Sequence, residues 1–124
     1  MQIPEKLKYT KDHEWAKVED DVVTIGITDY AQGELGDVVY VELPEVGSTT
    51  TQGESFGTIE AVKAVSDLFA PVSGEVLEVN DKLTDEPETI NKDAYGAGWI
   101  IKIKMSDKSE LDNLLDKAAY EELI

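Results

Sequence analysis

Hydrophobic and polar residues alternate in several short stretches of this chain, which is the pattern of half-buried β-strands. The clearest stretches are 23–28, 39–43 and 99–105, and turn residues such as Pro44 and Gly47 follow the second of them. In each stretch the apolar side chains would share one face: Val23, Ile25 and Ile27 in the first, Val39, Val41 and Leu43 in the second, and Trp99, Ile101, Ile103 and Met105 in the third. Many short strands separated by turns predict a mainly β fold, a sandwich or flattened barrel.

Other segments carry helical signals. Thr28 is a good N-cap and Gly36 a good stop for a short helix between them, although Gly33 would weaken it. A helical turn or an irregular loop is expected at 86–91, and Asp116 is placed to cap a short turn near the C-terminus. An amphipathic C-terminal helix that packs on the sheets is predicted where four apolar residues follow the i, i+3, i+4, i+7 spacing: Leu111, Leu114, Leu115 and Ala118.

The segment 57–76 contains one lysine between two apolar, strand-like runs. Gly57 and Gly74 mark the ends of these runs, and Lys63 is the only cation within them. The pattern predicts a β-hairpin with Lys63 at its turn, where the side chain would project into solvent. Exposed lysines are common on protein surfaces, so Lys63 by itself indicates no function. Its position on a hairpin would make the amine reachable by another protein.

Length and charge narrow the classes of function. With 124 residues, the chain is expected to form a single domain, 1–124, with a core of its own. Its 27 acidic and 11 basic residues give a net charge of −16, which would repel nucleic-acid phosphates and anionic lipid headgroups. The absence of cysteine excludes disulfides, thiolate catalysis and cysteine-ligated metal. The acidity favours solubility first, and attraction toward basic patches on partner proteins second.

The sequence carries no targeting or catalytic motif. Its first nine residues resemble neither a signal peptide nor a transit peptide, and no apolar run approaches the ~20 residues of a membrane helix, so a cytoplasmic location is expected. His13 is the only histidine and is expected to pack or cap locally, since no Ser/His/Asp set or zinc motif accompanies it. The acidic run 19–21 lacks the ligand spacing of a calcium loop. The chain is therefore expected not to be an enzyme by itself.

Several separate segments together resemble the H-protein family of the glycine cleavage system. The resemblance covers nearly the whole chain, in the segments Tyr9–Trp15, Gly26–Gln32, Leu35–Pro44, the lysine hairpin and Asn91–Trp99. The lysine motif of this family is commonly Glu-Ser-Val-Lys-Ala, and residues 60–64 here are Glu-Ala-Val-Lys-Ala. Alanine at position 61, in place of serine, bears on turn geometry or ligase recognition only.

The resemblance implies a fold, a cofactor and a set of partners. The fold would be lipoyl-domain-like, a barrel-sandwich hybrid of two antiparallel sheets with short helices. Lys63 would form an amide with lipoic acid, and a separate lipoate-attaching enzyme would be needed because an exposed lysine is protonated at neutral pH. Glycine decarboxylase (P protein) would load an aminomethyl group on a lipoyl sulfur, aminomethyltransferase (T protein) would take its methylene carbon, and dihydrolipoamide dehydrogenase (L protein) would reoxidise the dithiol. A carrier that fits several active sites is expected to be monomeric.

The resemblance also suggests how the loaded arm is protected. An aminomethyl group exposed to water can decompose, and in the family the loaded arm folds into a surface cleft with acidic and polar groups. Glu14 and Asp67 occupy the matching positions, with Asp12 as a weaker candidate. Charge-assisted hydrogen bonds from these carboxylates would hold the cationic amine. Considered without the family, the three residues would be ordinary surface carboxylates.

Three other interpretations fit parts of the pattern. A biotin carrier would have methionines beside its lysine, whereas Val62 and Ala64 flank Lys63. A lipoyl domain of a 2-oxoacid dehydrogenase would share the hairpin but would be shorter and would lack both the segment His13–Trp15 and the terminal helix. An unmodified acidic interaction module would acquire no lipoyl group, so the intact mass of the protein would distinguish it.

Overall fold

The structure is a computed structural model that describes residues 2–124. Its elements follow the chain in this order: β1 (Lys8–Tyr9), β2 (Glu14–Glu19), β3 (Val22–Ile27), α1 (Asp29–Leu35), β4 (Val38–Glu42), β5 (Thr49–Thr50), β6 (Ser55–Ala61), β7 (Val65–Phe69), β8 (Gly74–Val79), α2 (Lys82–Asp85), α3 (Thr89–Lys92), β9 (Ile101–Met105), a 3₁₀ helix (Lys108–Asn113) and α4 (Lys117–Leu123). No helix in this range has the length and apolar composition that crossing a membrane requires.

The strands form two antiparallel sheets. One has six strands in the order β1-β2-β3-β9-β8-β5, and the other has three in the order β4-β6-β7. Each sheet keeps two edge strands, so neither closes into a barrel. The prediction of a mainly β fold with two antiparallel sheets and short helices is confirmed.

The core lies between the sheets and comes from the apolar faces that alternation predicts. In the larger sheet, Val23 pairs with Ile103 and Ile25 with Ile101, and these side chains are fully buried. Residues that are paired on adjacent strands point to the same face of the sheet, so the apolar side chains of two paired strands are buried on the same side. Ile59 and Leu68 of the smaller sheet join the same cluster.

One of the predicted inward positions is wrong. Val39 was expected to share a buried face with Val41 and Leu43, but it is 55% exposed. A register shift between Val38 and Tyr40 gives β4 one more residue than β6 at this point. Such a bulge places consecutive side chains outside the normal alternation, and Val38 is buried instead.

The helices follow the predictions in part. Thr28 caps α1 by accepting a hydrogen bond from Ala31 N at 3.2 Å, and Gly36 ends the helix in the left-handed region, with φ of 78°. The helical turn expected near 86–91 is present as α3, whereas α2 was not predicted.

The C-terminal helix exists but begins later than the apolar spacing predicts. A 3₁₀ helix precedes it, and Leu115 lies in an extended segment whose N–H and C=O both pair with Tyr9 at 2.7 Å. Asp116 then caps α4 by accepting from Ala119 N, as expected of that residue. Leu115 instead packs on a second apolar cluster, in which the rings of Tyr9 and Tyr120 stack 4.7 Å apart.

Candidate functional site

Lys63 stands at the tip of an antiparallel hairpin. Strands β6 and β7 pair as far as Glu60 and Val65, and Ala61 N donates to Ala64 O at 2.9 Å to close the turn. Lys63 is exposed at this turn, as the sequence predicts. The hairpin is shorter than expected: β7 ends at Phe69, and β8 belongs to the larger sheet.

The backbone of the tip is bonded to the end of α1 and to the residue that precedes β4. Lys63 N donates to Leu35 O at 3.2 Å, and Val62 N donates to Asp37 O at 3.0 Å. The lysine stem also lies beside Gly36, where an added Cβ would come within 3.4 Å of Lys63 Cγ. The root of the side chain is therefore fixed while its amine remains accessible.

A cleft of about 300 Å³ lies beside this root, because Leu35, whose carbonyl accepts from Lys63 N, is one of its lining residues. One wall is a face of α1, which ends at the Gly36 that Lys63 contacts, and the opposite wall is β7. The third wall is the segment that leads into β2, residues 12–14. The polar and aromatic side chains that line the cleft include Asp12, His13, Glu14, Tyr30, Glu34 and Asp67.

The three carboxylates selected from the sequence line the same cleft, in two different environments. Asp12 and Asp67 are exposed, whereas Glu14 is only 2% exposed. Asp67 reaches the cleft because β7 is an edge strand of the smaller sheet. The cleft is thus open and anionic on one side and ends in a buried carboxyl group on the other.

Local hydrogen bonds place the Glu14 carboxyl group. Thr10 Oγ1 donates to Glu14 Oε1 at 2.5 Å and accepts from Glu14 N at 3.1 Å, while Phe69 N donates to Oε2 at 3.3 Å. Burial raises the pKa of Glu14 to about 8, although the bonds from Thr10 and Phe69 oppose that rise. At neutral pH, Glu14 is therefore mostly protonated.

Glu14 also borders a second cavity. This cavity measures about 250 Å³, and apolar residues such as Phe69, Pro71 and Leu114 form much of its lining. Asp12 and Glu14 line both cavities. The buried carboxyl group therefore stands at the boundary between an acidic cleft and a more apolar one.

Several residues of the cleft wall are not among those predicted from the sequence. Tyr30 and Glu34 lie one helical turn apart on the face of α1 that lines the cleft, and this i, i+4 spacing was a usable signal. His13 was expected to pack or cap locally, but its ring packs against the distant Tyr30 and Tyr120, and it also lines the cleft. Its Nδ1 lies 2.9 Å from the hydroxyl of Tyr120, which in turn lies 2.7 Å from Thr28 Oγ1.

The electrostatics of the cleft suit a cation. Burial lowers the pKa of His13, so its imidazole is neutral at neutral pH and does not oppose a bound cation. The exposed Asp12, Glu34 and Asp67 supply negative charge. Chemically, the arrangement offers an accessible amine for acylation at one end and hydrogen-bond acceptors for an ammonium group at the other.

Comparison with known proteins gives a consistent result. The family model described as glycine cleavage H-protein matches residues 7–124. A glycine cleavage system H protein from Staphylococcus carnosus is 56% identical over 124 residues, covering 100% of this chain and 98% of the relative. One from Symbiobacterium thermophilum is 58% identical over 119 residues, covering 96% and 93% of the two chains.

A solved structure matches as well. The crystal structure of a glycine cleavage system H protein from Mycobacterium marinum superimposes with a TM-score of 0.88. It is 43% identical to this chain, and the match covers 97% of each protein. The likeness therefore extends through both sheets and the C-terminal helix.

Proposed function

Because the chain belongs to the glycine cleavage H-protein family, the lipoyl carriers of the glycine cleavage system, we propose that Lys63 is the residue that carries lipoic acid. The observation that supports this assignment is the position of Lys63: an exposed amine on a tip whose backbone is bonded to the end of α1 and to Asp37, beside a cleft that Leu35 lines.

The residues present fit a lipoyl arm. The exposed amine can enter the active site of a lipoate-attaching enzyme, and the stem that lies beside Gly36 directs the arm along the end of α1. When bound, the lipoyl group supplies a disulfide and dithiol, which this cysteine-free chain lacks. The protein itself contributes the root, the cleft walls and the acceptors at the far end.

Glu14 and Asp67 hold the cationic end of the loaded arm in this proposal, and Asp12 adds negative charge at the rim. Asp67 is exposed and meets the amine first, whereas Glu14 is buried and excludes water around it. A nearby ammonium group favours the carboxylate form of Glu14, so the carboxyl group releases its proton from Oε1 or Oε2 to solvent as the cation arrives. The resulting charge-assisted contact, shielded from water, delays decomposition of the cargo.

The carrier serves several enzymes in turn. Glycine decarboxylase loads the arm, aminomethyltransferase unloads it and dihydrolipoamide dehydrogenase restores the disulfide, while this protein performs none of the chemical steps. One domain spanning the chain, acting as a monomer in the cytoplasm, suits this role, because each active site must admit the same hairpin tip. The negative net charge of −16 also directs the carrier toward protein surfaces rather than nucleic acid.

Intact mass spectrometry tests the attachment site. We expect protein produced with a lipoate supply and a lipoate ligase to gain one lipoyl increment, and Lys63→Arg to gain none. The matched control Lys82→Arg, which changes another exposed lysine, should gain the full increment. A lipoyl increment that survives in Lys63→Arg would contradict the proposal, and so would a biotin increment or no increment in the wild-type protein.

A further inference from the structure

Exposed hydrophobic side chains are concentrated around Lys63. Of the seven large hydrophobic residues that are exposed within residues 2–124, four belong to β4 or the lysine hairpin: Val39 at 55%, Tyr40 at 49%, Val62 at 71% and Val65 at 66%. The other three, Val46, Leu77 and Leu123, lie in separate parts of the chain. We call the group of four the lysine patch. Clustered apolar exposure of this kind marks interaction surfaces, whereas single exposed residues do not.

The strand register brings the patch together on one face. Tyr40 is the partner of Glu60, and Glu60 is the partner of Val65, so these three side chains form one row across the outer face of the smaller sheet. Val62 and Val65 lie within two residues of Lys63 on either side of the tip. The row therefore ends beside the root of the arm.

The bulge in β4 enlarges this surface. Without the register shift between Val38 and Tyr40, strand alternation would turn one of two adjacent residues inward. With the shift, Val39 and Tyr40 are both exposed. Bulges often redirect side chains at functional sites, and this one adds an apolar residue next to the hairpin tip.

The charged side chains in the three strands of the smaller sheet are all acidic. Glu60 lies inside the row, and the next row contains Glu42, Thr58 and Asp67 in register. Lys63 is the only basic residue between Lys17 and Lys82, and an amide at its amine would remove that charge. A partner surface must therefore offer both apolar contact and positive charge.

We infer that the lysine patch is the docking surface for enzymes that act on the arm, and that it fits an apolar hollow rimmed by lysine and arginine at the mouth of their active sites. The inference rests on Lys63 being the root of the arm, as proposed above. An arm that enters an active site brings the surface around its root against the mouth of that site. Apolar centres with a charged rim are the usual composition of such interfaces.

Steady-state kinetics with purified glycine decarboxylase as the probe tests this inference. Fully lipoylated carrier, verified by mass, is varied as the substrate, and carbon dioxide release from glycine is measured. We expect Tyr40→Thr and the double variant Val62→Thr/Val65→Thr each to raise the KM for the carrier about tenfold with little change in kcat. Added salt should raise the wild-type KM, and Glu60→Gln should reduce that salt dependence.

Val46→Thr is the matched control, because Val46 is 61% exposed in the loop that leaves the opposite end of β4. Its KM should equal that of the wild-type protein. Patch variants whose KM stays within about twofold of this control would overturn the inference, as would a loss confined to kcat. The mass measurement separates the two proposals: a carrier lipoylated on Lys63 with normal kinetics in the patch variants contradicts the docking surface alone.

Discussion

The two ends of the cleft are built in opposite ways. At the root, Lys63 is exposed, and backbone hydrogen bonds to Leu35 and Asp37 fix the tip without covering the amine. At the far end, the Glu14 carboxyl group is buried and is held by Thr10 and Phe69 N. A reactive group that other enzymes must reach needs fixed backbone and free side chain. A group that shields a cation needs a buried side chain that hydrogen bonds hold in place, and burial then changes the proton affinity of that side chain.

The largest expected effect concerns the Glu14 end. Since burial raises its pKa from 4.5 to about 8, Glu14 favours the folded state while protonated, and this contribution is lost as pH rises through about 8. As the pH rises from about 4.5 to about 8, we expect the unloaded wild-type protein to lose on the order of 4 kcal/mol of unfolding free energy relative to Glu14→Gln. Denaturant unfolding at several pH values measures the difference. Parallel pH profiles for the two proteins would show that Glu14 titrates normally.

A smaller effect should appear at the Lys63 end, where two glycines of one helical segment allow a matched test. Gly36 has φ of 78°, and a Cβ added there would meet the lysine stem, so Gly36→Ala should destabilise the fold by about 1–3 kcal/mol and displace the tip. Gly33 lies inside α1 with open space around its Cα, and Gly33→Ala should stabilise by about 0.5–1 kcal/mol. Thermal unfolding checks both changes, and equal effects of the two substitutions would contradict the special role of Gly36.

The smallest expected effect concerns His13, which lines the cleft, and the Tyr120 hydroxyl group beside it. Tyr120→Phe removes the hydroxyl group that bonds Thr28 and contacts His13, and we expect a loss of about 1–2 kcal/mol with a more mobile His13 ring. Tyr40→Phe serves as the control. It removes a hydroxyl group from a half-exposed residue and should change stability little. An NMR titration of His13 gives the second readout. An unchanged His13 signal in Tyr120→Phe would show that the C-terminal helix does not position this residue.

The sequence was sufficient for the sheet core and for the lysine tip, because both depend on local pattern. Alternation in 23–28 and 99–105 identifies strands whose apolar faces meet in register, as with Val23 and Ile103. Turn residues between two strand-like runs locate Lys63 without knowledge of any partner strand. These features follow from strand geometry alone.

The burial of Glu14 could not be predicted in this way. Alternation would expose every second residue of β2, yet Glu14, Trp15 and Ala16 are all buried. The two faces of this strand are covered by different parts of the chain. Glu14 lies between the two cavities and accepts from Phe69 N, and Trp15 packs in the cluster with Tyr9 and Tyr120. Only long-range packing creates that environment, and the pKa of Glu14 depends on it.

The helix predicted from Leu111 to Ala118 was wrong in its start for a related reason. The spacing from Leu111 to Ala118 is helical, but Leu115 pairs with Tyr9 through both of its backbone groups. Two hydrogen bonds to a strand more than 100 residues away along the chain interrupt the helix that local spacing favours. The helix then restarts at the cap supplied by Asp116.

The central claim is that an arm rooted at Lys63 carries its cationic cargo to the Glu14 end of the cleft. The rate at which the loaded, lipoylated protein loses its aminomethyl group in water, with no other enzyme present, tests it most directly. We predict about tenfold faster loss in Glu14→Gln, a smaller acceleration in Asp67→Asn, and a wild-type rate in the exposed control Glu75→Gln. A Glu14→Gln protein that retains its cargo as long as the wild-type protein would contradict the account.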